Sequence, residues 1–308
     1  MLAPIILFVY NRPDHTIKTL NALKRNILAN DSILYIFSDA PKNDNNIDSV
    51  NKVREILKSA DGFKNIHISY AEQNKGLAKS IIEGVSYVIN RHKAAIILED
   101  DLISSNNFLQ YMNNALSYYE KDQKIFQISG YSPHFNLRKD LDSDIFACHR
   151  ISSWGWATWE DRWNSIDWKL KDLKEFLSSE NIQKFSLGGK DKISVLIGAK
   201  EGINDVWAIK YDYGRFKWNN ALVVYPKISK ISNIGSDGSG VHKDTRSKFD
   251  VKIDESGKKK FNFSIPFETI SEFDDQFEDF FPINPLKKFI TLNSYRLGIY
   301  KLLKHLFK

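Results

Sequence analysis

The chain has 308 residues, of which 42% are hydrophobic, enough to bury the core of one large α/β domain or of two smaller domains. Its net charge is +6, but the 44 basic residues are interleaved with 38 acidic ones, a distribution that argues against nucleic-acid binding. No apolar run reaches the roughly 18 residues of a membrane span, no charged segment precedes the short apolar run at the N-terminus, and the single Cys148 excludes a disulfide framework. We therefore expect a globular protein of the cytoplasm.

Strand and helix patterns alternate over the first 130 residues. Continuous apolar runs predict buried strands at 4–10, 33–38, 66–70, 94–98 and 125–129. Apolar residues at helical spacing predict helices from Pro13, over 77–89 and over 108–116. Strands without alternation, separated by amphipathic helices, predict an α/β fold with a mostly parallel sheet covered on both faces.

Polar and charged residues follow four of these strands at the point where each strand ends. They are Arg12 after the first strand, Asp39 after the second, Asn74, Lys75 and Gly76 after the third, and Glu99, Asp100 and Asp101 at the end of the fourth. Any one of these residues fits an ordinary polar loop, but parallel sheets bind ligands at this edge, and the four strand ends together predict a ligand site there.

Three consecutive carboxylates at the end of a buried strand need a positive partner, because the low-dielectric interior and their mutual repulsion oppose ionisation. A cation is the expected partner, and hard oxygen ligands favour Mg²⁺ or Mn²⁺. The sequence lacks G-x-x-x-x-G-K-[ST], and no G-x-G-x-x-G follows the first strand. We therefore predict that a nucleotide diphosphate is held through a divalent cation.

The segment "IILEDDLISSNNFLQYM" resembles the metal-binding segment of GT-A-fold glycosyltransferases, in the Glu-Asp-Asp form of the N-acetylglucosaminyltransferase I family. The segments "VYNRP", "FSDAP" and "PKISKISNIGSDGSGVH" resemble that family too, and "NKGLAKSI" and "SSWGWATWEDRW" resemble bacterial capsule and O-antigen sugar transferases. The resemblance covers about residues 3–245. It implies a GT-A catalytic domain over 1–245, with a nucleotide-sugar half over about 1–130 and an acceptor half over about 131–245, followed by a C-terminal extension over 246–308.

The resemblance implies an inverting, metal-dependent glycosyltransferase of bacterial surface polysaccharide synthesis. Its donor would be a nucleotide sugar, UDP-linked and with UDP-GlcNAc as a candidate, and its acceptor a glycan or a lipid-linked glycan. The implied donor-site residues are Arg12 and Asp39 at the nucleotide, Glu99 and Asp100 at ribose or sugar hydroxyls, Asn74, Gly76 and Lys79 near the diphosphate or donor sugar, and Asp101 on the Mn²⁺ or Mg²⁺ ion. Lys79 fits a solvent-facing surface equally well.

The resemblance also implies a general base, which an inverting displacement needs opposite the leaving group. Asp205, followed closely by Trp207, resembles the family's base segment, although the family has two adjacent acids there and this chain has one. Asp212 is the alternative. In the late Gly-rich loop, Ser239 and His242 are alternatives for a contact with phosphate or metal, and the remaining histidines show no zinc-ligand spacing.

The segment "SSWGWATWEDRW" places four tryptophans within ten residues. Tryptophan faces stack on sugar rings, so Trp154 and Trp156 are candidates for an acceptor platform. Glu160 next to them either binds acceptor hydroxyls or faces solvent. Helical spacing of Trp156, Trp159 and Trp163 favours core packing of at least two of the four.

The tail is the most polarised part of the chain. Over 286–308, a helical projection puts an apolar stripe (Leu292, Tyr295, Ile299, Leu302, Leu303, Leu306) opposite a basic face (Arg296, Lys301, Lys304, Lys308). This pattern predicts one amphipathic helix that either contacts an anionic membrane surface or packs on the protein.

Two other functions fit parts of the pattern. A nucleotidyltransferase also pairs acids with Mg²⁺, but "NRPDHT" after the first strand is not the Gly-rich basic loop expected there. A catalytically silent sugar-binding protein of the same fold would not need the acids and the candidate base.

Overall fold

The computed structural model describes residues 2–138, 142–204, 206–237 and 247–303. The strands are β1 (Ile5–Val9), β2 (Ile33–Ser38), β3 (Asn65–Tyr70), β4 (Ala94–Glu99), β5 (Leu102–Ser104), β6 (Ile125–Ser129), β7 (Ile145–Cys148), β8 (Trp156–Trp159), β9 (Leu222–Pro226) and β10 (Ile231–Asn233). The five predicted strands are confirmed to within one residue at either end.

The helices alternate with these strands in the first half of the chain and dominate the second half. They are α1 (Pro13–Lys24), α2 (Ile47–Lys58), α3 (Leu77–His92), α4 (Phe108–Tyr119), α5 (Glu160–Asn164), α6 (Leu173–Phe176), α7 (Ser179–Phe185), α8 (Lys192–Lys200), α9 (Trp207–Lys217), α10 (Ile270–Phe280), α11 (Pro285–Arg296) and α12 (Tyr300–Leu303). Helix α1 begins at Pro13, as predicted, because proline fits the first helical position. In the described part of the chain, no helix combines the length and the apolar character needed to cross a bilayer.

The described residues form one eight-stranded sheet in the order β3-β2-β1-β4-β8-β6-β9-β7, and β5 pairs separately with β10. The strands β3, β2, β1 and β4 are parallel neighbours, β6 and β9 are parallel to each other, and β8 and β7 run antiparallel to their neighbours. The mostly parallel sheet is thus confirmed. The chain order reverses at β1, which lies between β2 and β4, so the ends of β1 and β4 flank the crevice where such sheets bind ligands.

The two faces of the sheet are buried under different helices. Ile5, Leu7 and Val9 of β1 face one hydrophobic cluster, and Ile6 and Phe8 face the other. Helix α3 approaches the second face closely because it has a glycine at the contact. A Cβ atom at Gly84 would lie 2.8 Å from the Phe8 ring, so even alanine would push this helix away from β1.

The segment after residue 246 packs on the rest of the chain at several places. Phe263 belongs to the main cluster, and the Tyr119 hydroxyl donates to its carbonyl oxygen. Phe273 of α10 packs against Phe146 of β7, with ring centroids 4.1 Å apart. Tyr295 and Tyr300 join a third cluster with α8. The extension therefore adds buried aromatic side chains to three separate clusters.

The prediction of one continuous helix over 286–308 is wrong for the described residues. Helix α11 ends at Arg296 and α12 begins at Tyr300, because Gly298 between them has a φ of +73°, which ends a helix. Part of the predicted stripe packs inward, since Tyr295 is 7% exposed and Leu292 packs beside it. Ile299 and Leu302 of the stripe face solvent instead, as do Leu286, Phe289 and Leu297, which were not part of it.

Candidate active site

The three acids end β4 at the predicted edge of the sheet, and the partner of two of them is an arginine. Nη2 of Arg12 donates to Asp100 Oδ1 at 2.8 Å and to Asp101 Oδ2 at 3.0 Å. Arg12 reaches them because β1 and β4 are parallel neighbours, with Phe8 opposite Glu99. The acids were expected to need a positive partner. Within the described residues, the positive charge next to Asp100 and Asp101 is the Arg12 guanidinium.

The electrostatics of this group follow from burial and from the neighbouring charges. Desolvation, with Asp101 and Asp100 beside it, raises the pKa of Glu99 well above its usual range. Burial raises the pKa of Asp100 to about 6, although Arg12 opposes the shift. Burial alone would lower the pKa of Arg12, but Asp100 and Asp101 offset it and raise the pKa. The arginine is therefore held in its charged form.

Both carboxylate oxygens of Asp100 accept hydrogen bonds within the protein, so this side chain is not free to bind a ligand. It is 3% exposed, its Oδ1 accepts from Arg12, and its Oδ2 accepts from the Tyr10 amide at 3.1 Å. The Thr19 hydroxyl donates to its carbonyl oxygen at 2.7 Å. The expected contact of Asp100 with a ribose or sugar hydroxyl is corrected accordingly, because the carboxylate has almost no accessible surface. Sequence reasoning missed Tyr10 and Thr19, which have no local signal for this contact.

Asp101 differs from Asp100 in its surroundings. Its side chain is 14% exposed, and its Oδ1 accepts no hydrogen bond from the described residues. Among those residues no group of three or more His, Cys, Asp or Glu side chains is placed to hold a metal ion. Mg²⁺ and similar ions are commonly held by one or two carboxylates together with substrate phosphates and water. The partly exposed carboxylate of Asp101 fits that mode of binding, and a cage made of protein side chains does not.

The Gly-rich loop after β10 lies directly on these groups. The Ile234 amide donates to the Asp101 carbonyl oxygen at 2.9 Å. A Cβ atom at Gly235 would lie 2.3 Å from Asp101 Oδ2 and 3.0 Å from Arg12 Nη1. His15, which the sequence did not single out, places Nε2 3.1 Å from the Ile234 carbonyl oxygen and 3.3 Å from Asp237 Oδ2. Ser239 and His242 of the same loop lie outside the described residues.

Asp39, at the end of β2, fastens the loop that precedes α3. Its Oδ1 accepts from the Ala40 and Lys75 amides, and its Oδ2 accepts from the Gly76 amide, each at 2.9 Å, and from Asn74 Nδ2 at 3.1 Å. A carboxylate has about four acceptor positions, and all four are used here. Asp39 therefore holds the backbone of the 74–76 loop in place, and a ribose or base would have to displace one of these bonds to reach it.

The lysines of this region lie on the outside of the molecule. Lys79 is 64% exposed on α3, with Nζ 3.8 Å from Glu83 Oε1, and Lys75 Nζ donates to Glu83 Oε2 at 2.7 Å. Together with Asn74 and Tyr70 they line a shallow hollow beside the Asp39 loop. The arrangement matches the solvent-facing alternative for Lys79.

The expected core packing of at least two of the four tryptophans is confirmed, since Trp156, Trp159 and Trp163 are buried, although Trp156 and Trp159 lie in a strand and not in a helix. Trp156 is 1% exposed and stacks on Trp207 at 5.3 Å and on Trp163 at 5.9 Å between ring centroids. The predicted platform role of Trp156 is corrected, because neither face of its ring is accessible. Trp154 is half-buried, edge-on to Tyr131 at 4.7 Å, and precedes the strand.

The direction of β8 separates Trp154 from Glu160. Because β8 runs antiparallel to β4, Trp156 pairs with Ile97 near the acids and Trp159 pairs with Ala94 at the other end. Glu160 accepts a hydrogen bond from Lys93 Nζ at 2.6 Å at that far edge. The four residues of β8 separate the two edges by about 13 Å. The expectation that Glu160 binds acceptor beside Trp154 is therefore wrong in this structure.

The two candidate bases have different outcomes. Asp205 lies outside the described residues. Asp212 is 2% exposed, with Oδ2 3.2 Å from Lys192 Nζ and Oδ1 accepting from Arg215 Nε at 2.5 Å. Burial would raise the pKa of Asp212, but Lys192 and Arg215 together lower it. A buried carboxylate with two cationic partners cannot reach an acceptor hydroxyl, and Asp212 is excluded as the base.

A mostly parallel α/β sheet with an acidic segment at the carboxyl end of β4 defines a protein of the GT-A fold class. The family model described as glycosyl transferase family 2 matches residues 5–180, more than half of the chain. The chain belongs to that family. No curated protein sequence matches it significantly.

Three solved structures illustrate the partial likeness of this chain to known folds. TarS of S. aureus has a TM-score of 0.43 at 8% identity, over 77% of this chain and 37% of that one. The mannosyltransferase PcManGT from Pyrobaculum calidifontis, in complex with GDP-Man and Mn²⁺, has a TM-score of 0.35 at 11% identity, over 53% and 46%. A UDP-glucose pyrophosphorylase complexed with UDP-glucose has a TM-score of 0.38 at 10% identity, over 77% of this chain and 94% of that one. The chain thus spans less than half the length of the first two.

Proposed function

We propose that the chain is an inverting, metal-dependent glycosyltransferase of bacterial surface polysaccharide synthesis. It transfers a sugar from a UDP-linked donor, with UDP-GlcNAc as the first to test, to a glycan or lipid-linked glycan acceptor. The observation that carries the proposal is Asp101, whose Oδ1 accepts no hydrogen bond from the described residues while its Oδ2 contacts Arg12 at the ligand-binding edge of the sheet. A carboxylate beside a guanidinium can hold a divalent cation together with a diphosphate. Membership of glycosyl transferase family 2 supports the class of reaction.

The residue that would hold Mn²⁺ or Mg²⁺ is Asp101, with Ser239 or His242 of the Gly-rich loop as alternatives for a further contact with metal or phosphate. When bound, the ion neutralises the charge that develops on the leaving diphosphate. Arg12 contributes a second positive charge at the same edge. Gly235 lets the loop backbone lie directly on Asp101 and Arg12, whose side chains are only 14% and 19% exposed.

The displacement itself needs one base and no covalent intermediate. Asp205 accepts the proton of the acceptor hydroxyl while the hydroxyl oxygen bonds to the anomeric carbon of the donor. The bond from that carbon to the diphosphate oxygen breaks, and its electron pair leaves with the nucleoside diphosphate. Trp154, with Tyr131 and Phe249 edge-on to its ring, offers an aromatic contact for the acceptor sugar.

The proposal extends to contact with a membrane through the exposed side of α11 and α12, where a lipid-linked acceptor would be found. Leu286, Phe289 and Leu302 are 64–77% exposed there, and the exposed Lys287 and Lys301 lie among them. Each basic residue near an anionic bilayer contributes about 1 kcal/mol. Flotation with anionic vesicles at low salt tests the contact: serine at the three apolar positions should abolish it, and Ile228→Ser, at another exposed site, should not. Equal flotation of both proteins would contradict it.

A panel of nucleotide sugars tests the proposed reaction directly. With Mn²⁺, one donor should release its nucleoside diphosphate slowly in water and rapidly with acceptor, and a chelator should stop both. Asp205→Asn should abolish transfer to the acceptor yet leave donor binding by calorimetry nearly intact. Release of pyrophosphate from a nucleoside triphosphate and a sugar phosphate would identify a nucleotidyltransferase instead, and binding without turnover of any donor would identify a silent sugar-binding protein.

A further inference from the structure

One nitrogen of Arg12 joins two carboxylates. Nη2 donates to Asp100 Oδ1 at 2.8 Å and to Asp101 Oδ2 at 3.0 Å, and the side chains of Arg12, Asp100 and Asp101 are only 19%, 5% and 14% exposed. Asp100 has a second partner in the Tyr10 amide. Among the described residues, Arg12 is the only hydrogen-bond partner of the Asp101 carboxylate. Asp101 therefore depends on Arg12 for neutralisation, and Asp100 does not depend on it alone.

This arrangement opposes metal binding as it stands. Two adjacent carboxylates with little solvent need a positive neighbour to stay ionised, and Arg12 is that neighbour. A divalent cation on Asp101 would lie within a few ångströms of the guanidinium and would be repelled by it. For the cation to bind, it must therefore replace Arg12 as the positive charge that neutralises Asp101.

Arg12 also retains donors for another ligand. Nη1 and Nε make no hydrogen bond with the described residues, and the backbone of Gly235 lies close to Nη1. A guanidinium pairs with phosphate oxygens through two parallel hydrogen bonds, which is a better geometry than one nitrogen shared between two carboxylates. A diphosphate at this edge can thus draw Arg12 away from Asp101.

We propose that Arg12 is a resident counter-ion of Asp101 that a nucleoside diphosphate displaces, so that nucleotide and divalent cation bind cooperatively to this site. The proposal rests on the proposed function, because it assumes a nucleotide diphosphate and a cation at Asp101. Without nucleotide, Arg12 holds Asp101 and the cation binds weakly. With nucleotide, Arg12 bonds to the diphosphate and Asp101 is released to the cation. Linkage then requires that each ligand strengthens the binding of the other by the same factor.

Titration of Mn²⁺ by electron paramagnetic resonance, with and without UDP, tests this without any measurement of activity. Arg12→Gln keeps much of the side-chain length and removes the charge. It should bind Mn²⁺ alone about tenfold or more tightly than wild type, by analogy with the effect of a neighbouring charge on proton binding to a carboxylate. The gain in Mn²⁺ affinity on adding UDP should shrink by a similar factor. Arg25→Gln, at an exposed position at the opposite end of the same helix, is the matched control and should behave as wild type.

Arg12→Lys gives a second variant with the charge retained, and it should show a Mn²⁺ affinity without UDP between those of wild type and Arg12→Gln. Circular dichroism of each variant verifies the fold. Equal or weaker Mn²⁺ binding by folded Arg12→Gln and Arg12→Lys would overturn the counter-ion role while leaving the glycosyltransferase proposal intact. Failure of wild type to bind Mn²⁺ even with UDP would instead overturn both the metal dependence and the inference built on it.

Discussion

The backbone of Gly235 lies against the carboxylate of Asp101, so closely that a Cβ atom at 235 would be 2.3 Å from Oδ2. The contact joins the Gly-rich loop after β10 to the acids after β4, although 134 positions separate the two residues in the sequence. It leaves no room for a side chain at position 235. The loop and the carboxylate therefore form one unit of the candidate site.

Gly235→Ala should weaken the binding of Mn²⁺ with UDP by displacing either Asp101 or the loop. Overpacking of this kind costs about 1–3 kcal/mol. Calorimetry with UDP and Mn²⁺ measures the loss, and Ser236→Ala in the same loop is the control that should leave the affinity unchanged. Normal affinity in Gly235→Ala would show that the loop moves away from Asp101 when ligands bind.

Asp39→Asn should raise the donor KM with little change in kcat. The asparagine side chain keeps one acceptor oxygen, but its NH₂ group faces N–H groups that are themselves donors. About half of the hydrogen bonds that Asp39 accepts are therefore lost. Each lost charge-assisted bond costs about 1.5–3 kcal/mol. Steady-state kinetics with varied donor test this, with Glu83→Gln, which affects only surface lysines, as the control. A fall in kcat at unchanged KM would contradict the proposal that Asp39 supports donor binding by holding the 74–76 loop in place.

Trp154→Ala should mainly weaken acceptor binding, whereas Trp156→Ala should mainly destabilise the fold. Trp156 is buried between two other indole rings, so its removal should lower the free energy of unfolding by about 3–5 kcal/mol. Trp154 is half-buried, and its removal should raise the acceptor KM with a smaller loss of stability. Urea unfolding and acceptor kinetics measure the two effects. A normal acceptor KM in folded Trp154→Ala would remove Trp154 from the acceptor site.

Lys192→Met should alter the pH dependence of stability above pH 8. Burial lowers the pKa of Lys192 to about 8 from 10.5, although Asp212 opposes the shift. Between these two values the folded protein has lost a proton that the unfolded chain still binds, so stability rises with pH. The free energy of unfolding of wild type should therefore rise relative to Lys192→Met by up to about 3 kcal/mol from pH 8 to pH 10.5.

Urea unfolding at several pH values measures this difference for Lys192→Met. The control is Lys174→Met, at an exposed position, for which the difference from wild type should stay constant. A constant difference for Lys192→Met as well would mean that Lys192 keeps its proton in the folded protein up to its ordinary pKa.

Local pattern was sufficient for the first half of the fold. Strand β6 has the predicted bounds because a strand covered on both faces is a continuous apolar run. The spacing of Trp156 and Trp159 correctly predicted that they pack in the core. It did not reveal that they lie in a strand, since a short buried strand of aromatic residues carries no alternation to distinguish it from a helix. The break at Gly298 was missed because the apolar positions keep their helical spacing across it.

The candidate site was predicted in position but not in its internal contacts. The strand ends placed Arg12, Asp39 and the acids at one edge, as the parallel pairing requires. The partners of each group depend on contacts between distant segments: Arg12 with Asp100, Asp39 with the 74–76 loop, and Gly235 with Asp101. No local sequence pattern indicates which donor pairs with which acceptor. The antiparallel direction of β8, which places Glu160 at the opposite edge, also depends on the whole sheet.

The most direct test of the account is the metal-dependent release of UDP from the preferred UDP-sugar by wild type and by Asp101→Asn. The substitution keeps the size of the side chain and removes the charge that would hold the ion, so we expect chelator-sensitive turnover to fall at least about a thousandfold. The thermal midpoint should stay close to that of Asp14→Asn, an exposed control on α1. Turnover by Asp101→Asn equal to wild type, or turnover by wild type that a chelator does not affect, would contradict the account.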